Sequence, residues 1–518
     1  MNAPLPIERP PIDTTPTPHP TGREPAQMGV RHAALWAMGG QYLSFATQFA
    51  TSVVISRLFL SPSEVGLFSV ALAASALVAM LQDFGLSRYI SGLPSIGAED
   101  IARCSTVALI FSLLVTGIVW AMAWPMAYTY HEHRLLPIML IIGTSYLFLP
   151  LAVVPQAMLA RSMAFRSLFV VNMSVTIAQA ALGVLLAWAG FSAFALAWAT
   201  LGAAVARGIV AQLMRPALPW PLRTDGLGQI VGAGSRLTTL YASGALGTRT
   251  PDMIVGKVLG LLAVGLYSRA ASLSDQFRTL MSGAIGSVFF PAFARIRDRG
   301  EPLGPAYLRV VAGYTAVIWP GMAGLSLASE PIVRMLYGEK WLGVAPLLSL
   351  ISLTEIFLVA LPLHTDLPIL LGRLNRLLAI NALDTLASIA LLTVFAFWGV
   401  EAAAGSRIVY GAVWVLIYAR FLDHLIGFDR RALLAIYAKS AACALAALAP
   451  LALCYALWLG PAHIPFALLA ALSGLGVVLW LTTMVLIRHP ALDDILGMVE
   501  HLPFGRQLSP VTQRLRRA

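Results

Sequence analysis

Apolar runs of membrane-spanning length recur along almost the whole chain, and they restrict the fold more than any other feature. A helix needs roughly 20 apolar residues to cross the hydrocarbon of a bilayer. Windows of that length, separated by charged or Pro/Gly-containing breaks, predict about 14 spans. The first six fall near 34–58, 67–91, 104–125, 135–158, 167–189 and 193–214. Six more fall near 228–248, 262–293, 307–328, 344–363, 365–398 and 401–425, and a last pair near 432–458 and 463–487. Pro368, Arg373 and Arg376 interrupt the eleventh. Its helix is therefore expected to begin near Leu377, with the preceding piece extending the tenth. Backbone polar groups in lipid must be satisfied internally, so the fold class is all-α and polytopic. Composition agrees: 58% of residues are hydrophobic and 11% charged, against about a quarter charged in soluble domains.

One pattern occurs twice in this series. Ile55-Ser56-Arg57 is followed by Val65-Gly66-Leu67-Phe68-Ser69, and Val255-Gly256-Lys257 by Val264-Gly265-Leu266-Tyr267-Ser268. Pro155 to Leu159-Ala160-Arg161 likewise matches Pro368 to Leu371-Gly372-Arg373. Duplicated multi-helix halves are the usual build of secondary transporters, with the binding site where the halves meet.

The net charge of +11 comes from basic residues scattered between apolar runs rather than gathered on one patch. That distribution fits the positive-inside rule better than nucleic-acid binding. With a cytoplasmic N-terminus, about 26 of the 35 basic residues fall on the cytoplasmic side. An even number of spans then places both termini there. The expected organisation is a proline-rich disordered cytoplasmic tail (1–33), an N-terminal helical lobe (34–214) and a cytoplasmic linker (215–227). A C-terminal helical lobe (228–425), two additional transmembrane helices (426–487) and a cytoplasmic amphipathic tail (488–518) follow. Cys104, Cys443 and Cys454 lie in or beside apolar segments without metal spacing and read as small core residues.

Enzyme signatures are largely absent: the chain has no GxSxG, HExxH, CxxC pair or Walker A sequence. His131, Glu132 and His133 share a predicted outside turn, where solvation explains them better than a metal. No metal or cofactor is expected, and uphill transport would draw on a proton or sodium gradient or on the substrate's own gradient.

Charges at membrane depth carry the functional signal. Each costs roughly 2.5–3.5 kcal/mol at a helix centre, so it faces a cavity or a partner. Arg57 and Asp83 stand in the first half, with Arg249, Asp252, Lys257, Arg269, Asp275 and Arg278 around the second repeat and Glu355, Asp366 and Asp384 beyond. Arg57, Arg249 and Lys257 are close enough to span ends to snorkel. Asp275 can pair with Arg278 or lie near Arg269. Asp83, Glu355 and Asp384 are the ion-coupling candidates; for Glu355 and Asp384, a structural hydrogen bond to a neighbouring helix is the competing reading. A cationic cavity in lipid suits an anionic, membrane-associated substrate, and the planar fork of arginine suits phosphate.

Several of these segments resemble one family. Leu81-Gln82-Asp83-Phe84-Gly85-Leu86, Gln156 to Arg166, Val264 to Ala270, and Pro331 to Trp341 with Pro346 are similar, in order and spacing, to the polysaccharide transporter (Wzx-type) flippases, nearest the colanic-acid exporter branch. The resemblance covers roughly residues 30–430. It implies the multidrug/oligosaccharidyl-lipid/polysaccharide exporter superfamily: two pseudo-symmetric six-helix lobes, here with two extra C-terminal helices, in the bacterial inner membrane. It also implies transport of undecaprenyl-diphosphate-linked oligosaccharide for exopolysaccharide or O-antigen export, with cavity cations on the diphosphate. That role carries over to Arg57, Arg249, Lys257 and Arg269. The expected partners are the lipid-linked oligosaccharide, membrane lipid and a polysaccharide polymerase with its co-polymerase. Competing readings are a lipid II flippase, an ion-coupled drug antiporter, and a membrane polymerase or ligase. The drug antiporter calls for an acidic, aromatic-lined cavity, and the enzyme for a large outside loop.

Overall fold

Four residues, Ser61-Pro62-Ser63-Glu64, write a helix start. The Ser61 hydroxyl accepts from the Glu64 amide at 3.4 Å while the Glu64 carboxylate accepts from the Ser61 amide at 2.7 Å. Pro62 occupies the first turn, where its missing N–H has no intrahelical partner to lose. The computed structural model describes residues 30–82, 86, 89–90, 96–217, 222–225, 228, 246–286 and 289–494. Asp83 and both predicted tails, apart from residues 30–33 and 488–494, lie outside the described residues.

In the first half, α1 spans Val30–Val54 and runs on as a π turn over Ile55–Phe59; α2 is Pro62–Ala79 and α3 Ala98–Tyr130. Then come α4 (Leu135–Ser145), α5 (Pro150–Arg161), α6 (Phe165–Trp188) and α7 (Ala193–Met214). Residues 246–259 are helical and form α8. The second half continues with α9 (Leu261–Gly286), α10 (Phe289–Asp298), α11 (Leu303–Leu327) and α12 (Ser329–Tyr337). It closes with α13 (Val344–Val359), α14 (Asp366–Leu370), α15 (Leu374–Ala396) and α16 (Val400–Ile426). Two extra helices, α17 (Arg430–Leu457) and α18 (Phe466–Leu486), pack on each other, and α17 packs along α11.

Among the described residues nine helices are long and apolar enough to cross a membrane, and the α4–α5 pair, bent by 46°, adds a tenth. The predicted count of fourteen is thus met only in part. Helices stand at three further predicted spans, but α1 is polar along one side, α9 carries Arg269, Asp275 and Arg278, and α13 has only 16 residues. Most of the predicted seventh span lies outside the described residues.

Two spans differ from expectation. The fourth is broken at Pro150, which has no N–H for the Tyr146 carbonyl; the Ser112 hydroxyl donates to that carbonyl instead, at 2.5 Å. The piece before the eleventh does not extend the tenth: α13 stops at Val359, α14 stands alone around Pro368, and α15 begins at Leu374.

The core explains how the halves are joined. One apolar cluster draws residues from both lobes, from Leu67 and Ile138 on one side to Tyr267, Trp341 and Leu348 on the other. Toward the opposite end the described core separates into clusters that belong to one lobe each. The lobes therefore meet at one end of the bundle, called here the closed end.

Candidate functional site: a cationic cavity beneath a closed end

The closed end is built by the duplicated motif. Its two copies lie on α2 and α9, which pack against each other. A Cβ on Gly66 would sit 1.9 Å from the Leu261 carbonyl oxygen, and one on Gly265 would sit 1.8 Å from the Pro62 carbonyl oxygen. Leu261 precedes Gly265 by four residues, as Pro62 precedes Gly66, so the contact is reciprocal about a pseudo-twofold axis. Glycine is required at both places because backbone meets backbone. One turn further in, the Ser69 and Ser268 hydroxyls are hydrogen-bonded at 3.0 Å.

Both repeat cations cross to the other lobe. Arg57 is exposed and donates to the Met335 carbonyl. Lys257, also exposed, donates to the Thr129 carbonyl at 2.6 Å. Two neutral bonds add to them: Trp341 Nε1 to the Ser56 carbonyl at 2.9 Å, and the Tyr130 hydroxyl to the Met253 carbonyl at 2.7 Å. Arg57 and Lys257, expected to meet a substrate phosphate, stand here as clasps between the lobes.

Below this closure lies a cavity of about 510 Å³, lined by α1, α2, α6 and α7 from one lobe and by α8 and α9 from the other. Arg249 and Arg269 line it, with Gln48, Ser52, Gln179 and Gln276 among its polar groups. Of the four predicted substrate cations the cavity brings together these two. Arg269 donates to the Ser52 hydroxyl, and its guanidinium lies 5.4 Å from the centre of the Tyr337 ring and 5.5 Å from that of Trp341. Two aromatic faces and a hydroxyl hold the cation without neutralising it. Its Nε is buried with no hydrogen-bond partner.

The predicted acids sit elsewhere. Glu355 accepts from Arg278 Nε at 3.0 Å, and Asp275 pairs with the same arginine, so Asp275 joins Arg278 rather than Arg269. Asp384 accepts from the Tyr410 hydroxyl at 3.1 Å, and its other oxygen is buried without a partner. Arg407 lies over the Tyr410 ring at 4.9 Å. Asp366 starts α14, and Glu132 pairs with Arg134 at 3.0 Å in the turn after α3. That pairing holds the Glu132 carboxyl below the usual carboxylate range. Among the described residues no cluster of His, Cys, Asp and Glu has the makings of a metal site.

Sequence reasoning missed a second chamber of about 400 Å³ between α1, α6 and α7. It shares Gln48 and Thr176 with the first, and Arg207 lines it. Arg207 is within α7. The missed signal was periodic. Gln41, Ser44, Gln48, Thr51 and Ser52 recur at three- and four-residue spacing in α1, a polar stripe on a helix otherwise suited to lipid.

Two lobes joined at one end over a cationic cavity are an architecture with known counterparts. Residues 54–346 match the family described as Polysaccharide biosynthesis protein. The chain belongs to that family. It is 25% identical over 357 residues to the succinoglycan biosynthesis transport protein ExoT of Rhizobium meliloti, covering 65% of this chain and 68% of that one. It is 21% identical over 323 residues to the lipopolysaccharide biosynthesis protein WzxC of Escherichia coli, covering 61% and 65%. Its fold resembles that of the lipid II flippase MurJ in an inward closed conformation, with a TM-score of 0.66, 12% identity and coverage of 88% of this chain and 98% of that one. An inward-facing multidrug resistance MATE family transporter of the MOP superfamily aligns with a TM-score of 0.54 and 14% identity, over 76% and 98% of the two chains.

Proposed function

We propose that this protein is a flippase for undecaprenyl-diphosphate-linked oligosaccharide, moving repeat units across the bacterial inner membrane for surface-polysaccharide assembly by alternating access. The observation that carries the reading is Arg269: a cation held in a cavity between two lobes, by groups that leave its charge unmet. A bare charge costs tens of kcal/mol in a low-dielectric medium, so a sugar diphosphate crosses only through a wet cationic path. Arg249 and Arg269 take the diphosphate, the glycan occupies the polar lining, and the polyprenyl chain stays in lipid. Rocking of the lobes about their junction exposes the cavity to either side.

The basic residues at and beside the α2–α3, α5–α6 and α7–α8 connections face the cytoplasm in this reading, both termini with them, and the closed end faces the periplasm. Membership of a polysaccharide biosynthesis family with transport relatives favours a carrier over a polymerase or ligase. Such enzymes are the expected partners on the far side.

The deciding experiment measures surface polymer and lipid-linked intermediates in a deletion strain with and without this gene. Loss of polymer with repeat units retained in the cytoplasmic leaflet is the expected result. Intact polymer would overturn the proposal. Repeat units that reach the periplasm unpolymerised would assign the chain to the polymerase class. Rescue of a strain depleted of its lipid II flippase would reassign the substrate.

A further inference from the structure

A third pocket stands apart from both cavities, on the C-terminal lobe alone. Its lining comes from α15, α16 and the first residue of α17, and its volume is about 560 Å³. The same two helices reach the lobe-joining core at their other ends, with Leu392 and Ala396 on α15 and Ala403 and Ala404 on α16. The pocket is thus at the end of the bundle away from the closure. Trp398, exposed in the turn between α15 and α16, stands as an interfacial tryptophan does. Arg376 and Arg420 lie about 30 Å from that turn along the two helices, one hydrocarbon thickness away. They are therefore at headgroup level.

Arg376, Arg420 and Arg430 converge on the pocket from three helices, with His424 beside them. Arg430 Nε donates to Asp423 at 2.7 Å, and among the described residues Asp423 is the one carboxylate in the lining. Arg376 lies over the Phe421 ring, 5.8 Å from its centre. Neither Arg376 nor Arg420 forms an ion pair among the described residues. Two guanidinium charges thus share a concave space whose single carboxylate belongs to the third. Arginines that only mark an interface do best spread apart, because like charges gathered in one place repel.

The other side of the pocket has the opposite character. Ile380, Ile417 and Phe421 make it apolar, and exposed Leu383 and Leu416 continue that surface further into the membrane. A free phosphate would use the arginines and leave the apolar side idle. A glycerophospholipid uses both: its phosphate meets the planar forks while its glycerol and acyl chains follow the isoleucines and leucines.

We propose that this pocket binds an anionic glycerophospholipid of the phosphatidylglycerol class, with Arg376 and Arg420 on its phosphate. A zwitterionic lipid brings the same phosphate beside an ammonium that both arginines repel, so the pocket selects by headgroup charge. The site does not depend on what the central cavity carries.

The test titrates the detergent-purified full-length protein with dioleoylphosphatidylglycerol or dioleoylphosphatidylcholine and follows bound lipid by native mass spectrometry. The wild type should bind the first lipid tenfold or more tighter than the second. Arg420→Gln, which alters one exposed side chain, should lose most of that preference, and Arg376→Gln/Arg420→Gln should lose all of it. Arg420→Lys should keep part. Arg299→Gln/Arg309→Gln removes two exposed cations outside the pocket and should leave the preference intact. Thermal unfolding of each variant without added lipid, matching the wild type, certifies its fold. Equal wild-type affinity for the two lipids would overturn the proposal, as would the same loss in the pocket and control variants. Displacement of phosphatidylglycerol by an equal concentration of inorganic phosphate would assign the pocket to a soluble anion. Displacement by a tenth of that concentration of polyprenyl diphosphate would assign it to the transported lipid. Either result would overturn the assignment to a resident phospholipid.

Discussion

Arg269 shows how one side chain can be both buried and available. Its position in α9, directly after the Val-Gly-Leu-Tyr-Ser repeat, was legible from the sequence; its partners were not, because Ser52, Tyr337 and Trp341 come from three other segments. None of them carries a formal negative charge, so the guanidinium keeps its capacity for an anion. A hydrogen bond to a charged group contributes about 1.5–3 kcal/mol, or a ten- to hundredfold change in affinity. Arg269→Ala should therefore weaken polyprenyl diphosphate binding by one to two orders of magnitude and abolish polymer export at normal protein level. Arg269→Lys should fall between, since an ammonium retains the charge but loses the planar fork. Quantitative binding beside an export assay checks both, and normal export by the alanine variant would remove Arg269 from the site.

At the scale of elements, the repeat proved more informative than the reading of its charges. The family resemblance placed Arg57 and Lys257 with a substrate, whereas in this structure both hydrogen-bond across to the other lobe. Spacing along the chain does not say which side of a helix junction a long side chain reaches. The glycines needed no such choice, because their only use is close approach. With the Ser69 and Ser268 hydroxyls 3.0 Å apart, a Ser69→Cys/Ser268→Cys protein should form a disulfide under mild oxidant and stop transporting, with activity restored by reductant. A bulky side chain at Gly66 or Gly265 should lower the cross-linking yield by preventing the helices from meeting. Absence of the cross-link in the otherwise active double variant would show that the lobes do not close along this seam.

The C-terminal helices make a second prediction at this scale. His489, just past α18, is buried; its Nδ1 accepts from the Ala491 amide at 3.2 Å, and its Nε2 lies 3.0 Å from the Ser440 hydroxyl. That arrangement fits the neutral ring protonated on Nε2. Burial first, and Lys439 second, push its pKa down to about 4. A free histidine titrates near ~6.5, so the undocked segment gains a proton as pH falls below that value while the docked one does not. Docking is complete above ~6.5 and weakens toward pH 4, by up to about 1.4 kcal/mol per pH unit. Protection from hydrogen exchange in residues 487–494, corrected for the intrinsic pH dependence of amide exchange, should fall from pH 7 to pH 5, and His489→Gln should flatten that response. An unchanged slope in the glutamine variant would remove the histidine from the account.

For the whole molecule, the question is what drives the lobes in one direction. The two-lobe build and the internal repeat could be read in advance, because hydrophobic length and duplication are properties of the chain, whereas the repeat's place at the lobe junction could not. The chambers could not, since a cavity is defined by what several helices leave unfilled. The same limit applies to the coupling acids: Asp83 falls outside the described residues, and sequence placed Glu355 and Asp384 on an equal footing. Their surroundings separate them. Glu355 has its charge met by Arg278 at 3.0 Å, so removing it strands an arginine shared only with exposed Asp275. Removing one partner of a partly buried pair leaves the other charge uncompensated, and Glu355→Gln should chiefly lower thermal stability. Asp384 has one oxygen on Tyr410 and one buried without a partner, which leaves it able to take a proton or a sodium ion. Asp384→Asn should keep substrate binding and folding while making transport in proteoliposomes indifferent to an imposed proton or sodium gradient. Comparing the two gradients one at a time identifies the ion. If Asp384→Asn still responds to both as the wild type does, the coupling site lies elsewhere, and the substrate's own gradient becomes the remaining driving force once no acid in the bundle answers to either ion.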